Sequence, residues 1–380
     1  MFNINKKSLA KFDWILLFIT IFLVVFGIIV LYSSFQGKIN EIYSQLVASG
    51  IGFILILILF ALDMNFLKKF TKTMYIISIL LLVVTLIIGV GGEERGGNSW
   101  IRLGFVSIQP SEISKFLVIF SVANYISENK KSINEFQTLL KIIIFSSLPI
   151  CLVLLQPDFG TAMVYVFIIA AMLFAAGLSR KWIILIALSI AIILPLAYFF
   201  IFDEYMKNRI LNFLDPSRDI SGSGWQQSQG LIAIGSGGFF GRGFMKGSQA
   251  QYGYIPEKET DYIFSVLVEE FGFLGGIITI LSFGLLIYRM IMVAKKASDS
   301  VLYLITVGIA AMFFIHLFEN IGMTMGVMPV TGIPLPLFSS GGTFQTINLI
   351  SIGVVLSISA QKDTLDFSGS EYEPFSNFRN

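Results

Sequence analysis

The sequence predicts an all-α polytopic membrane protein of about ten transmembrane helices, with both termini cytoplasmic and a large extracytoplasmic loop before the eighth helix. Three observations carry this. Of 380 residues, 55% are hydrophobic and 13% charged, where a soluble domain carries about 25% charged residues. The apolar stretches are long and unbroken, unlike the alternating strands of a barrel. Lys and Arg crowd alternate loops. With 37 Phe and a mean hydropathy of +0.81, most of the chain must face lipid or other apolar helices. A soluble enzyme, a disordered chain, a disulfide scaffold and an outer-membrane barrel are excluded. The net charge of +2 gives no argument for nucleic acid, and one Cys with one His cannot make a Cys/His metal site.

A span needs about 20 mostly apolar residues, all helical, because lipid leaves no partner for a free backbone group. Candidate spans lie near 14–33, 45–63, 74–90, 111–127, 139–155, 161–178, 182–202, 262–288, 301–325 and 343–360. The first follows Lys6, Lys7 and Lys11 without a small-residue cleavage site and is expected to stay as an anchor. Lys68/Lys69/Lys72, Lys130/Lys131/Lys141, Arg180/Lys181, Arg289/Lys295/Lys296 and Lys362/Arg379 mark the cytoplasmic loops. The opposite loops carry only Lys38, Arg95 and Arg102 among their short members. Three substantial segments therefore face outside: 91–110, 203–261 and 326–342. The long 203–261 loop is rich in Gly and aromatic residues and is expected to pack on the membrane surface. Residues 1–360 read as one transmembrane domain and 361–380 as a disordered cytoplasmic tail.

Ionisable residues in or beside spans are candidate functional groups. Glu112 and Lys115 share a helix face at i, i+3. They read either as a structural ion pair or as a cation held at the outer surface and oriented by Glu112. Asp261 opens the eighth span and reads either as an ordinary helix cap or as a carboxylate positioned for general-base work. Glu269 and Glu270 lie deeper and are expected to face the interior and pair with Lys or Arg. His316, Glu319 and Asn320 raise the same question on the ninth span. The segment Pro329–Thr343 holds three Pro and three Gly, so it is no regular helix. It reads as a re-entrant loop or a packed connector.

Six segments together resemble the RodA/FtsW/SpoVE (SEDS) family. They are Gln109-Pro-Ser-Glu-Ile-Ser-Lys115, Gln156-Pro-Asp-Phe-Gly-Thr-Ala162, Gly235-Ser-Gly-Gly-Phe-Phe-Gly-Arg-Gly243, Thr260-Asp-Tyr-Ile-Phe264 with Glu269-Glu270, Asn320-Ile-Gly-Met323, and Gly332-Ile-Pro-Leu-Pro336 with Ser340-Gly-Gly342. Asn208–Pro216, Gly224–Ser228 and Phe244–Gln249 resemble the elongation branch of that family.

The resemblance implies a peptidoglycan glycosyltransferase that polymerises lipid II on the outer face of the cytoplasmic membrane. It implies Asp261 as general base, and substrate-binding roles for Trp100, Gln109, Glu112 and Lys115. Arg102 and Arg209 are weaker candidates for stabilising the leaving pyrophosphate. Two departures stand out. Val106-Ser107-Ile108 replaces the basic residue that some members carry before the Gln, and Ser340 stands where the family has Tyr. No cofactor is identified, although a divalent cation (Mg or Mn) bridging the pyrophosphate is compatible with the chemistry. The implied partners are the undecaprenyl-linked glycan, a class B penicillin-binding protein and the elongation machinery. A lipid II flippase, a non-catalytic scaffold and an FtsW-like division polymerase remain as alternatives.

Overall fold

The computed structural model describes residues 11–91, 99–103, 106–200, 202, 204–215, 218–219 and 222–361. The expected tail from 362 onwards, and Lys6, Lys7, Arg95, Lys362 and Arg379 of the orientation argument, lie outside them. The order is α1 Trp14–Ser34, α2 Ile39–Ala61, α3 Met64–Lys68, α4 Thr71–Ile88, β1 Ile101–Leu103, β2 Val106–Ile108, α5 Pro110–Glu128, α6 Phe136–Leu154, α7 Phe159–Ala175 and α8 Arg180–Phe200. It continues through α9 Glu204–Leu214, α10 Ser223–Gly237, α11 Ser248–Gln251, α12 Ile263–Lys295, α13 Ser300–Thr324 and α14 Gly342–Ala360.

Every predicted span falls on a helix. Among the described residues, eight helices are long and apolar enough to cross a membrane, and α7 is apolar but only 17 residues long. The α5 helix is more polar because Glu112, Lys115 and Glu128 sit on it.

The helices divide by burial. In its most apolar window α13 is 72% buried and α14 78%, against 22% for α4 and 6% for α8. So α13 and α14 form the centre and their neighbours shed toward lipid. Close approach is bought with glycine. A Cβ on Gly52 of α2 would lie 2.4 Å from Leu349 of α14. Ion pairs tie the basic ends of the bundle: Arg289 grips Asp13 through two nitrogens, the shortest contact being 2.8 Å, and Lys68 meets Asp299. Asp13 also caps α1 through Leu16 N–H, and Asp299 caps α13.

One helix is broken deliberately. Inside α12, Gly272 has φ 70° and ψ −169°, outside helical space. The break frees backbone groups that lipid could not satisfy. The glycine-rich stretch after α10 satisfies them. Arg242 and Gly243 N–H donate to the carbonyls of Glu269 and Glu270 at 3.0 Å, and Phe273 and Leu274 N–H donate to the carbonyls of Gly238 and Phe239 at 2.9 and 3.1 Å. The 203–261 region is therefore not merely a surface cover: it folds into α9–α11, and part of it completes α12.

Residues 329–341 form a largely buried non-helical loop, and Gly342 and Thr343 already belong to α14. Leu335, Leu337, Phe338 and Ser339 are fully enclosed. It runs against the middle of α1, where a Cβ on Gly27 would lie 2.4 Å from the Leu337 carbonyl.

Candidate functional site

Asp261 stands just ahead of α12. It is not the helix cap: Tyr262 holds that position, and no side chain caps the end. The local chain is a tight turn in which Thr260, Asp261 and Tyr262 N–H all donate to the Glu257 carbonyl. Glu257 itself takes a left-handed φ of 48°, costly for a residue with a side chain. The turn leaves the Asp261 carboxylate free of capping duty.

Asp261 is held from the other side by the 329–341 loop. Its Oδ2 lies 3.5 Å from where a Cβ on Gly332 would be, and Gly332 needs its φ of 75°. Ser339 Oγ donates to the Thr260 carbonyl, and Ser340 N–H donates to the Glu259 carbonyl at 2.8 Å. Asn320 Nδ2 donates to the Asp261 carbonyl at 2.9 Å and to the Ile333 carbonyl at 2.8 Å. Gln45, a polar residue within apolar α2, accepts from Gly341 N–H and donates to the Ser339 carbonyl, both at 3.1 Å.

Burial raises the Asp261 pKa from 3.8 to about 6, and the nearby Glu257 charge adds to the rise. The Arg209 guanidinium and the Thr260 hydroxyl pull it back. Arg209, one of the two weaker sequence candidates, is thus the one whose charge reaches Asp261.

Of the two readings for Lys115 and Glu112, the structural ion pair is the one the structure forms. Instead of an outer surface, they occupy the bundle interior, 1% and 3% exposed. Lys115 Nζ is 2.8 Å from Glu112 Oε1 and 2.7 Å from His316 Nε2. Glu319 is wholly buried, within range of the Lys115 charge and beside the Thr331 hydroxyl.

The Gln156–Ala162 motif closes this side. Gln156 Nε2 donates to the Leu82 carbonyl at 3.1 Å, and Asp158 caps α7 through Thr161 N–H at 3.0 Å. Gly160 lets the Thr331 carbonyl approach to 2.8 Å of a would-be Cβ.

The remaining candidates sit apart. Trp100 bridges Val90, and Arg102 is exposed on β1 of a small hairpin that meets α14 at Thr343. Gln109 precedes α5 without a side-chain capping bond. Among the described residues no hydrogen bond or ion pair joins these three to Asp261.

Glu269 and Glu270 do face the interior, but their partners are not Lys or Arg. Glu269 accepts from Gln249 and Ala250 N–H at 2.8 and 3.0 Å, capping α11. Glu270 accepts from the Ser33 hydroxyl and, at 3.3 Å, from Gln251 Nε2. Both serve the frame. Among the described residues no three His, Cys, Asp or Glu side chains converge.

A bundle of this form, with a half-buried carboxylate framed by a buried Pro/Gly loop, defines a class of multi-pass membrane proteins. Residues 13–364 match the FtsW/RodA/SpoVE family, described as cell cycle proteins, and the chain belongs to that family. The peptidoglycan glycosyltransferase MrdB of Escherichia coli K12 is 32% identical over 96% of this chain and 99% of its own length. Stage V sporulation protein E of Bacillus subtilis is 37% identical over 91% and 96%. A solved peptidoglycan synthase complex that coordinates polymerization and crosslinking contains a chain that superposes with a TM-score of 0.81 at 30% identity, covering 92% of this chain and 97% of that one.

Proposed function

We propose that this peptidoglycan glycosyltransferase polymerises lipid II into β-1,4 glycan on the outer face of the cytoplasmic membrane, with Asp261 as general base, in the elongation rather than the division branch of its family. The observation that carries the reading is the Asp261 carboxylate, released from capping and framed by Gly332. The acceptor is the 4-hydroxyl of lipid II, whose proton passes to Asp261 as its oxygen attacks the anomeric carbon of the glycan. The bond from that carbon to the undecaprenyl pyrophosphate breaks, and the pyrophosphate leaves with the electron pair. Attack from the opposite face turns an α-linked donor into a β-linked product.

The leaving group gains charge. Lys115 is our first candidate to stabilise it: an ammonium already fixed in an apolar interior acts over distance without reorganising. Arg209 and Arg102 are secondary, and Trp100, Gln109 and Glu112 are taken as binding residues. Asn208–Pro216 and Phe244–Gln249 support the elongation branch.

The test is polymerisation of labelled lipid II by purified protein with its partner, wild type against Asp261→Asn. Polymer from wild type and a loss of about 10²–10⁴-fold in the variant are expected. Equal polymer from both removes Asp261 as the base. No polymer from either, with partner and lipid known to be active, favours a flippase or scaffold.

A further inference from the structure

The mounts of Lys115 and Asp261 meet on one turn of α13. An ammonium has only hydrogens to give, so His316 Nε2, 2.7 Å from Lys115 Nζ, is a bare acceptor. The ring proton is then on Nδ1, which donates to the Pro334 carbonyl at 3.3 Å. His316 is 1% exposed, so bulk water does not compete for either contact. Four residues on, and so on the same helix face, Asn320 holds the neighbouring Ile333 carbonyl and the Asp261 carbonyl. The loop between has no helix of its own, and Pro334 has no N–H to donate. Two adjacent carbonyls therefore hang from two side chains of one turn, and the other hydrogen bonds of those side chains join Lys115 and the Asp261 carbonyl.

We propose that His316 is a positioning residue for glycosyl transfer. By accepting from Lys115 and donating to Pro334, it fixes the buried charge relative to the Asp261 carboxylate. This rests on the roles given to Asp261 and Lys115 above. The competing reading is a plain helix-to-helix tie, which stabilises the bundle and leaves the chemistry alone.

Three variants separate the two. His316→Gln brings an amide oxygen to the Nε2 position and keeps an acceptor for Lys115. His316→Asn brings an amide N–H to the Nδ1 position and keeps only the Pro334 contact. His316→Leu keeps neither. The measurements are kcat and KM for lipid II with the partner present, beside the thermal midpoint of each protein. We expect kcat to fall about 10–100-fold in the Leu and Asn variants with KM within about twofold, and Gln, which keeps the Lys115 contact but gives up Pro334, to recover only part of the loss. Combined with Lys115→Met, His316→Leu is expected to add little further loss. Rates that simply track the thermal midpoint, or a fully additive double variant, overturn the proposal. If the Leu variant does not fold, Gln against Asn carries the comparison. Asp261→Asn is run in parallel. Full activity there sinks the underlying mechanism, whereas loss there with wild-type kcat in His316→Leu sinks only this inference.

Discussion

Asp261 carries its charge where burial opposes it, with a pKa of about 6. A base must be deprotonated, so polymerisation is expected to fall about tenfold per pH unit below that value and to level off above it. A pH–rate profile flat from 5 to 8 (about one unit either side of the shift and beyond) would remove the carboxylate from the rate-determining step. The same shift has a stability sign. The folded-state pKa lies above the ordinary one, so between about 4 and 6 the folded chain holds the proton more tightly than the unfolded chain. Stability therefore falls as pH rises through that window. Above it the ionised group is a burden, and Asp261→Asn is expected to raise the thermal midpoint at neutral pH by about 2 °C or more while destroying activity. Asp261 was legible in the sequence because a carboxylate opening an apolar run needs a reason. Its release from capping was not, since that depends on the turn at Glu257. His316 and Asn320 were visible as polar residues in an apolar span, but their partners lie far away in sequence, and pairing at that distance leaves no periodic trace. The same limit left the depth of Lys115 open: spacing showed the Glu112 pair but not how deeply it sits.

At the scale of elements, hydrophobic runs marked the ten spans but not the short α3 or α9–α11, and the break at Gly272 was hidden inside the eighth of those runs. A glycine in a helix pattern reads as a modest penalty, and only the tertiary contact makes it obligatory. A Cβ on Gly272 would sit 2.3 Å from Gly241 N, and one on Gly241 would sit 2.1 Å from the Glu270 carbonyl. Gly272→Ala is therefore expected to cost more than about 4 kcal/mol, combining a forbidden dihedral with a backbone clash. It should lower the thermal midpoint sharply. Gly284→Ala, on the same helix with open space at its Cβ, should be neutral or mildly stabilising. If the two behaved alike, the exchange of hydrogen bonds between α12 and the 238–243 stretch would not be what holds the helix together. The buried loop after α13 was legible as non-helical from its Pro and Gly. Its contact with Gly27 in mid-α1 was not, because one glycine among many apolar residues carries no label.

At the scale of the whole molecule, we propose a class B penicillin-binding protein as partner, a reading consistent with the fold likeness to a chain from a complex that couples polymerization to crosslinking. Co-purification with such a transpeptidase, and a polymerisation rate raised at least about tenfold by it, are expected. A rate indifferent to every such partner would argue that this chain polymerises alone. The broken α12 also bears on how the chain is made. A helix whose break, ten residues in at Gly272, is completed by an earlier segment is expected to depend on that segment during insertion. Residues 238–243 leave the ribosome before Gly272 does, and the short separation keeps the closure cost low. Insertion of α12 is therefore expected to follow the folding back of that stretch, and shuffling those segments in a permuted chain would strand four backbone groups of α12.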